Sequence, residues 1–257
     1  MKTIYYDDEL KDEFSAVQIR AKKIDGSYRY LREKAADKIL HGLFYWVLAK
    51  PLGWLFLKLR FRQSFVGADK LKALPRNQAC FLYGNHTNAA MDPFVPNMLL
   101  WGRDLRIIVH PNNVSMPVFG HVTPYLGALP LPDDREALDH FTEALHASVR
   151  AGKSIIIYPE AHIWPYYTGI RPFKDSSFRY PVEENVPVYC FVNTYHRCLF
   201  GVRVKTYVEG PFLPDPELHP RKARAKLRDE VYEAMCRLSE RNTYERIRYV
   251  KREEKES

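Results

Sequence analysis

The sequence predicts an α/β fold, a mixed and mostly parallel sheet flanked by helices, with membrane-associating helices on its N-terminal side. From about residue 78 onward, short apolar runs typical of strands alternate with segments of helical periodicity, which is the pattern of an α/β sheet. The chain has 257 residues, 46% of them hydrophobic and 14% aromatic, so it can bury one sizeable core. The most apolar stretch, from His41 to Phe61, precedes the alternating region.

We divide the chain into three parts: an N-terminal helical, membrane-surface segment over 1–67, a central α/β domain over 68–215, and a C-terminal basic amphipathic helix with a charged tail over 216–257. Residues 1–39 have mixed polarity and a helical tendency. The opening stretch MKTIYYDDELKDEF carries charges of both signs and no apolar core of a secretory signal, which predicts that the protein is not secreted. The tail after the last helix is expected to be solvated.

The stretch from His41 to Phe61 admits two interpretations. Lys50 and Pro51 interrupt it before the ~20 apolar residues that a membrane-spanning helix needs. The first interpretation is a peripheral or monotopic contact with anionic lipid at the cytoplasmic face of a membrane, and the second is a proline-broken pair of core helices. The first is favoured by aromatic rings, which settle among lipid headgroups, and by bases, which reach lipid phosphates: Phe44, Tyr45, Trp46, Trp54 and Phe56, then Lys58, Arg60 and Arg62.

Strands and helices alternate through the central domain. The first strand, ACFLYG at 79–84, ends in a glycine and is followed by a short helix at 89–102. A longer helix has Asp133 or Asp134 as its N-cap and ends before Gly152. The other strands are predicted at 105–110, 154–160, 186–195 and 201–210. In such a sheet, ligands bind outside the carboxyl ends of the strands.

The formal net charge of +8 indicates an anionic partner, either a lipid surface, a phosphorylated substrate or a nucleic acid. The sequence has no motif of an RNA- or DNA-binding module and its bases are interspersed with acids, so we expect no nucleic-acid partner. The four cysteines show no CxxC or zinc-ligand spacing, which predicts a reducing compartment: Cys80, Cys190, Cys198 and Cys236.

His86 and Asp92 follow the first strand of the central domain, six positions apart. On one continuous helix their side chains would point ~240° apart, so they can meet only across a turn. An imidazole that acts as a base needs its second nitrogen held by an acceptor such as a carboxylate. The chain has no G-x-S-x-G nucleophile elbow and no third metal ligand at sensible spacing. This leaves a dyad that activates a substrate hydroxyl, or a capping aspartate beside an unrelated histidine.

Four blocks in order carry a resemblance to a known family. YGNHTNAAMDPFV resembles the first motif of the PlsC-like glycerolipid acyltransferases, the 1-acylglycerol-3-phosphate acyltransferase family, although the usual spacing H-x4-D is H-x5-D here. VSMPVFGHVTPYLGALPLPDDRE is similar to the second motif and IIIYPEAHIWPYYTGIRPFKDSSFR to the third. NVPVYCFVN resembles the final valine–proline motif. The resemblance extends from about residue 78 to 195.

The resemblance implies direct transfer of a fatty acyl group from acyl-CoA or acyl carrier protein, as co-substrate, to a hydroxyl of a lysophospholipid such as 1-acylglycerol 3-phosphate, in phospholipid biosynthesis or remodelling. No bound cofactor or metal is implied. His86 would be the base and Asp92 its orienting partner, and backbone N–H groups of the turn are expected near the oxyanion. Substrate contacts are implied for Glu160, Phe119 and Gly120 by their match to the motifs.

Several departures concern the bases that hold the acceptor's phosphate in the family. The G-T-R after the motif's glutamate is replaced by residues 161–163, Ala-His-Ile. Arg135 is the nearest candidate for the arginine of the second motif, and Arg171 and Lys174 are candidates to replace the others. Two alternatives follow: an acceptor without phosphate, such as a lyso-aminolipid, or a non-catalytic membrane lipid-binding protein of the same fold.

Two further segments are open to a binding or a packing role. The apolar residues behind the dyad line an acyl groove or belong to the core: Met91, Phe94, Val95, Met98 and Leu99. The aromatic and basic stretch 163–174 dips into the headgroup region, covers the acceptor, or folds on its own aromatic rings.

Overall fold

A mixed seven-stranded sheet forms the centre of the computed structural model, which describes residues 2–14, 20–199 and 201–252. The strand order is β2-β8-β7-β3-β6-β4-β5, and every neighbouring pair is parallel except β7 with β8. The predicted fold class is therefore confirmed. The strands of this sheet are β2 (Ser64–Val66), β3 (Phe81–Gly84), β4 (Leu105–Val109), β5 (Ala128–Pro130), β6 (Ser154–Ile157), β7 (Val188–Cys198) and β8 (Gly201–Phe212).

Helices cover both faces of the sheet. They are α1 (Ala35–His41), α2 (Lys50–Phe61), α3 (Asp69–Lys72), α4 (Val95–Leu99), α5 (Phe119–Val122), α6 (Arg135–Arg150), α7 (Arg179–Glu184) and α8 (Pro220–Ser239). Alternate residues of each strand point to opposite faces. Phe81 and Tyr83 of β3 join a core with residues of α6 and α8, whereas Cys80 and Leu82 join a second core with residues of α2, α3 and α4. The architecture is therefore three-layered.

The helix predicted at 89–102 is shorter in the structure. Residues 89–94 form successive turns, and α4 covers only Val95–Leu99. Pro93 and Pro96 explain the short length, because proline lacks an N–H donor and restricts the residue before it. Strands β2 and β5 were not predicted, since each is only three residues long.

The N-terminal apolar helix is continuous over residues 35–61, so the prediction that Lys50 and Pro51 interrupt it was wrong. A π-helical segment, Gly42–Ala49, joins α1 to α2, and the Lys50 N–H donates to the carbonyl of Tyr45, five residues back. A proline ring clashes with the carbonyl four residues before it in an α-helix, and the wider π turn directly before Pro51 accommodates the ring. Among the described residues, this helix alone is long and apolar enough to cross a membrane by length and composition.

Much of this helix is apolar and exposed. One side packs on the protein through the buried Tyr45, Leu57 and Phe61. The exposed large apolar side chains are Ile39, Leu43, Trp46, Val47, Leu48, Leu52, Trp54, Leu55 and Leu59. A patch of this extent on a soluble surface marks a contact with another protein or with lipid.

Lys50 anchors the helix to the loop before β4. Its side chain is buried, and Nζ donates to the carbonyls of Trp101 at 2.6 Å and Arg103 at 2.7 Å. The ammonium also lies 4.0 Å from the centroid of the Trp46 ring. Lys50 therefore stabilises the docked position of the helix.

Replacing Lys50 by methionine is expected to remove a pH-dependent part of the stability. Burial lowers the pKa of Lys50 from 10.5 to about 8, so between these values the unfolded chain holds a proton that the folded chain has released. In that window the free energy of unfolding rises with pH. We expect the wild type to gain stability relative to Lys50→Met from about pH 8 to about pH 10, measured by urea unfolding of both proteins. A constant difference across this window would contradict the lowered pKa.

The chain's two end segments pair with each other outside the main sheet. β1 (Lys2–Tyr6) and β9 (Ile247–Lys251) form a parallel two-stranded sheet in which Lys2 lies opposite Ile247. The predicted helical tendency of the first residues and the predicted solvated tail are therefore wrong at these two places. Both strands are rich in β-branched and aromatic residues, which favour extended structure. The division of the chain into three domains stays a prediction.

Candidate active site

The candidate site lies at the carboxyl ends of β3 and β6, which are neighbours in the sheet. The connection after β3 enters the core on the α2–α4 face, whereas the connection after β6 leads to the α6–α8 face. Two neighbouring strands whose connections leave on opposite faces open a crevice between them. His86 follows Gly84 at the end of β3, and Glu160 follows Ile157 at the end of β6.

The structure brings His86 and Asp92 into direct hydrogen-bond contact across the turn. Nδ1 of His86 lies 2.8 Å from Oδ2 of Asp92. The same carboxylate oxygen accepts the backbone N–H groups of Thr87 at 3.1 Å and Asn88 at 3.0 Å. Asn88 in turn shapes the turn, because its Oδ1 accepts the N–H of Met91 at 3.2 Å. The six-residue separation thus suits a turn in which one carboxylate, that of Asp92, both orients the His86 ring and accepts hydrogen bonds from the backbone of the turn.

Asp92 is shielded from solvent, while His86 is partly open to it. The exposed side-chain fraction is 1% for Asp92 and 19% for His86. Burial raises the pKa of Asp92, and the hydrogen bonds from His86 and from the backbone oppose this rise. With Nδ1 facing the carboxylate, Nε2 is the nitrogen left for a substrate.

Tyr158 holds the dyad from the β6 side and was missed in the sequence. Its ring stacks on the ring of His86, with centroids 4.6 Å apart, and its hydroxyl donates to the backbone carbonyl of Asp92 at 2.6 Å. Burial raises the pKa of Tyr158 well above its usual value, so the hydroxyl remains a donor. Its place directly before Pro159 and Glu160, in the third block, is the sequence signal from which it could have been found.

Glu160 and Arg171 form a buried ion pair beneath the dyad. The side chains of both residues are completely buried, and Nη2 of Arg171 lies 3.3 Å from Oε2 of Glu160. The Glu160 carboxylate also accepts the backbone N–H of His86 at 3.3 Å and that of Arg171 at 3.1 Å. Burial raises the pKa of Glu160, and the guanidinium opposes the rise. Arg171 further donates to the carbonyls of Glu9 and His162. This position favours a structural role for Arg171 over the predicted contact with substrate.

The other predicted binding residues lie away from this hydrogen-bonded cluster. Phe119 is 69% exposed, whereas Gly120 is buried, and a Cβ there would lie 2.7 Å from the carbonyl oxygen of Val114. Arg135 is exposed in the first turn of α6, and Lys174 is exposed on the loop before α7. The substrate-binding roles of these four residues stay predictions.

The two segments for which the sequence allowed either a binding or a packing role are packed against the rest of the protein. Met91, Val95 and Leu99 are buried in the core on the α2–α4 face, which indicates packing. Trp164 of the stretch 163–174 is completely buried and packs on Tyr167 of the same stretch and on Tyr6, Phe14 and Tyr249 from the two ends of the chain.

The N–H groups of the dyad turn are already used within the protein. Those of His86, Thr87 and Asn88 donate to Glu160 and Asp92. The structure therefore gives no support for the expectation that these three groups stabilise an oxyanion.

The histidine–aspartate pair lies at the carboxyl edge of the sheet, in a part of the chain that matches a known family. Residues 66–193 match the family model described as Acyltransferase, so the protein carries a domain of this family, as the sequence motifs predicted. The fold is similar to that of the 1-acyl-sn-glycerophosphate (LPA) acyltransferase PlsC from Thermotoga maritima, with a TM-score of 0.55, 17% identity and 81% of each chain covered. No curated protein matches the chain by sequence.

Proposed function

We propose that the protein transfers a fatty acyl group from an acyl thioester to a hydroxyl of a lysophospholipid such as 1-acylglycerol 3-phosphate. The observation that carries this proposal is the 2.8 Å contact between His86 and Asp92 at the mouth of the crevice, inside the acyltransferase domain. A histidine so oriented takes a proton from a hydroxyl without any enzyme-bound acyl group.

The chemistry follows from the two nitrogens of His86. Nδ1–H donates to Asp92, and Nε2 accepts the proton of the acceptor hydroxyl as its oxygen attacks the thioester carbonyl. Collapse of the tetrahedral intermediate breaks the carbon–sulfur bond, and the leaving thiolate takes the proton from His86. Asp92 stabilises the imidazolium between these two steps. The thiol carrier is coenzyme A or acyl carrier protein.

A basic cavity supports a phosphorylated acceptor. The cavity, about 370 Å³ in volume, is lined by residues 20–22 and by the segment after β4, including Arg20, Lys22, Ser115 and His121. The Lys22 N–H donates to Oγ of Ser115 at 3.0 Å, which ties the two segments together. The second segment begins at the carboxyl end of β4, which lies at the same edge of the sheet as the carboxyl ends of β3 and β6. We assign the acceptor's phosphate to this cavity.

Replacing Lys22 by glutamine is expected to raise KM for a phosphorylated acceptor about tenfold and to leave kcat unchanged, because the variant loses one charge-assisted hydrogen bond to the phosphate. The matched control is Lys23→Gln, the same charge change one residue on, since Lys23 faces Asp134 at 3.8 Å and does not line the cavity. Steady-state kinetics with lysophosphatidate and with monoacylglycerol measure the effect. Equal KM values for the two variants would contradict the assignment of the phosphate.

The exposed apolar surface supports attachment to a bilayer, and we propose that the protein lies on its cytoplasmic side. The segment around α5, with Val118 and Phe119 exposed, lies beside the helix over 35–61, where His41 Nδ1 lies 2.7 Å from the carbonyl of Tyr125. Apolar side chains of both segments would enter the lipid, next to Lys58 and Arg60 at the end of α2. A lipid acceptor then reaches the crevice from the membrane surface.

Acyl transfer by the purified protein from labelled palmitoyl-CoA and palmitoyl carrier protein tests the proposed function. The acceptors are lysophosphatidate, glycerol 3-phosphate, lysophospholipids and lyso-aminolipids, presented in anionic liposomes. Product with lysophosphatidate or another lysophospholipid supports the proposal, and product with lyso-aminolipid alone replaces the acceptor class. Binding to liposomes without turnover of any acceptor, from either donor, would identify a non-catalytic lipid-binding protein instead.

A further inference from the structure

The loop over residues 160–171 is hydrogen-bonded to the backbone of the dyad. The N–H of Trp164 donates to the carbonyl of His86 at 3.2 Å, and that of Tyr166 donates to the carbonyl of Thr87 at 2.9 Å. Since Glu160 accepts the His86 N–H, both backbone groups of the candidate base are tied to this loop. The position of the imidazole therefore depends on where the loop lies.

The loop has a conformation that its own sequence does not favour. Ala161 has φ of 63° and Tyr166 has φ of 59°, a left-handed region that residues with a side chain adopt only at a cost. Such a backbone persists when surrounding groups hold it in place. The contacts that hold this loop come largely from the two ends of the chain.

The N-terminal segment contacts the loop around Trp164. The indole Nε1–H of Trp164 donates to the carbonyl of Asp12 at 2.8 Å, and the ring of Tyr6 in β1 lies 4.7 Å from the indole, centroid to centroid. The Phe14 N–H donates to the carbonyl of Ile163 at 3.4 Å.

The C-terminal segment contacts the loop from β9. The ring of Tyr249 stacks on Trp164, with centroids 4.9 Å apart and planes inclined by 17°. The Tyr249 hydroxyl donates to the carbonyl of Pro165 at 3.0 Å. Before β9, Asn242 Nδ2 donates to the carbonyl of Thr168 at 2.9 Å.

We propose that the paired strands β1 and β9, which we call the clasp, hold the 160–171 loop against the backbone of His86. Tyr249 and Trp164 are then positioning residues for the imidazole. The inference rests on the proposed function for its kinetic consequence. Residues of β1 and β9 belong to neither of the two large hydrophobic cores, so the clasp is separable from the stability of the sheet. Small displacements of a catalytic group lower kcat strongly while leaving substrate binding intact.

The test compares three variants of the full-length protein. Tyr249→Ala removes the ring and the hydroxyl, Tyr249→Phe keeps the stack, and Val250→Ala shortens a neighbouring side chain of the same strand, on its other face. We expect Tyr249→Ala to lower kcat about tenfold to a hundredfold with KM unchanged, whereas the other two variants remain close to wild type. Rates are measured well below the unfolding temperature of each variant.

A second measurement does not depend on turnover. The chain has nine histidines, and the ring signal of His86 is assigned in a ¹H–¹³C NMR spectrum by its absence in His86→Ala. We expect Tyr249→Ala to shift or broaden this signal, and Val250→Ala to leave it in place. An unmoved His86 signal, or a kcat loss that Val250→Ala shares, would overturn the clasp. If Tyr249→Ala shifts the His86 signal but the wild type turns over no acceptor, the clasp is supported and the proposed function is contradicted.

Discussion

Replacement of His86 by alanine is expected to lower kcat for acyl transfer by about 10²–10⁴-fold, the usual contribution of general acid–base catalysis. The variant keeps the crevice and the basic cavity, so KM for acceptor and donor should change little. Without Nε2, no group held by Asp92 remains to take the hydroxyl proton. Single-turnover and steady-state rates with the accepted lipid measure the loss.

A matched control for this prediction is His140→Ala. His140 is exposed on α6 and has no contact with the dyad, so its removal should leave the rate unchanged. Circular dichroism of both variants establishes that they are folded. If folded His86→Ala kept the rate of the control, the dyad mechanism would be excluded.

Replacement of Arg171 by methionine is expected to lower the free energy of unfolding by about 3–5 kcal/mol, the cost of leaving a buried charge without its partner. Glu160 would keep its carboxylate in an environment where both side chains are completely buried. Urea unfolding of wild type and Arg171→Met measures the change. The result separates a buried structural arginine from a phosphate-binding one, whose removal would affect KM and leave stability almost intact.

The matched control is the pair of Arg224 with Asp175. These side chains are 29% and 28% exposed, and their contact at 2.6 Å is shorter than that of the buried pair. Water screens this pair, so Arg224→Met should cost no more than about 1 kcal/mol. The double variant Arg171→Met with Glu160→Gln should recover part of the loss, because it removes the stranded charge. Equal losses for Arg171→Met and Arg224→Met would contradict the structural role of the buried pair.

Local patterns were sufficient to predict the strands that carry the site. β3, most of β6 and the first part of β7 are short apolar runs, and segments of helical periodicity lie between the strands. The pairing of β1 with β9 could not be predicted in this way. Each of these strands is five residues long and borders a charged segment, and the reason it is extended is a partner at the other end of the chain.

The dyad could be predicted from spacing and chemistry, but the support around it could not. The turn between His86 and Asp92 was predictable because His86 follows the end of a strand, and two side chains six positions apart can meet there only across a turn. Arg171 was predicted as a phosphate ligand from its charge, and nothing in its charge reveals that Glu160 neutralises it inside the protein. The buried residues Ile170 and Phe173 on either side were the available signal for an inward-facing segment.

The pairing of β1 with β9 also orders the events of synthesis. A chain synthesised through α8 already contains all seven strands of the main sheet and both members of the dyad, but it does not yet contain β9. Joining Lys2 to Ile247 closes a loop between residues far apart in the sequence, and such contacts form late because their entropy cost comes first. A chain in which β1 and β9 have not yet paired therefore holds a formed sheet, but its 160–171 loop lacks the contacts that Tyr249 makes with Trp164 and Pro165.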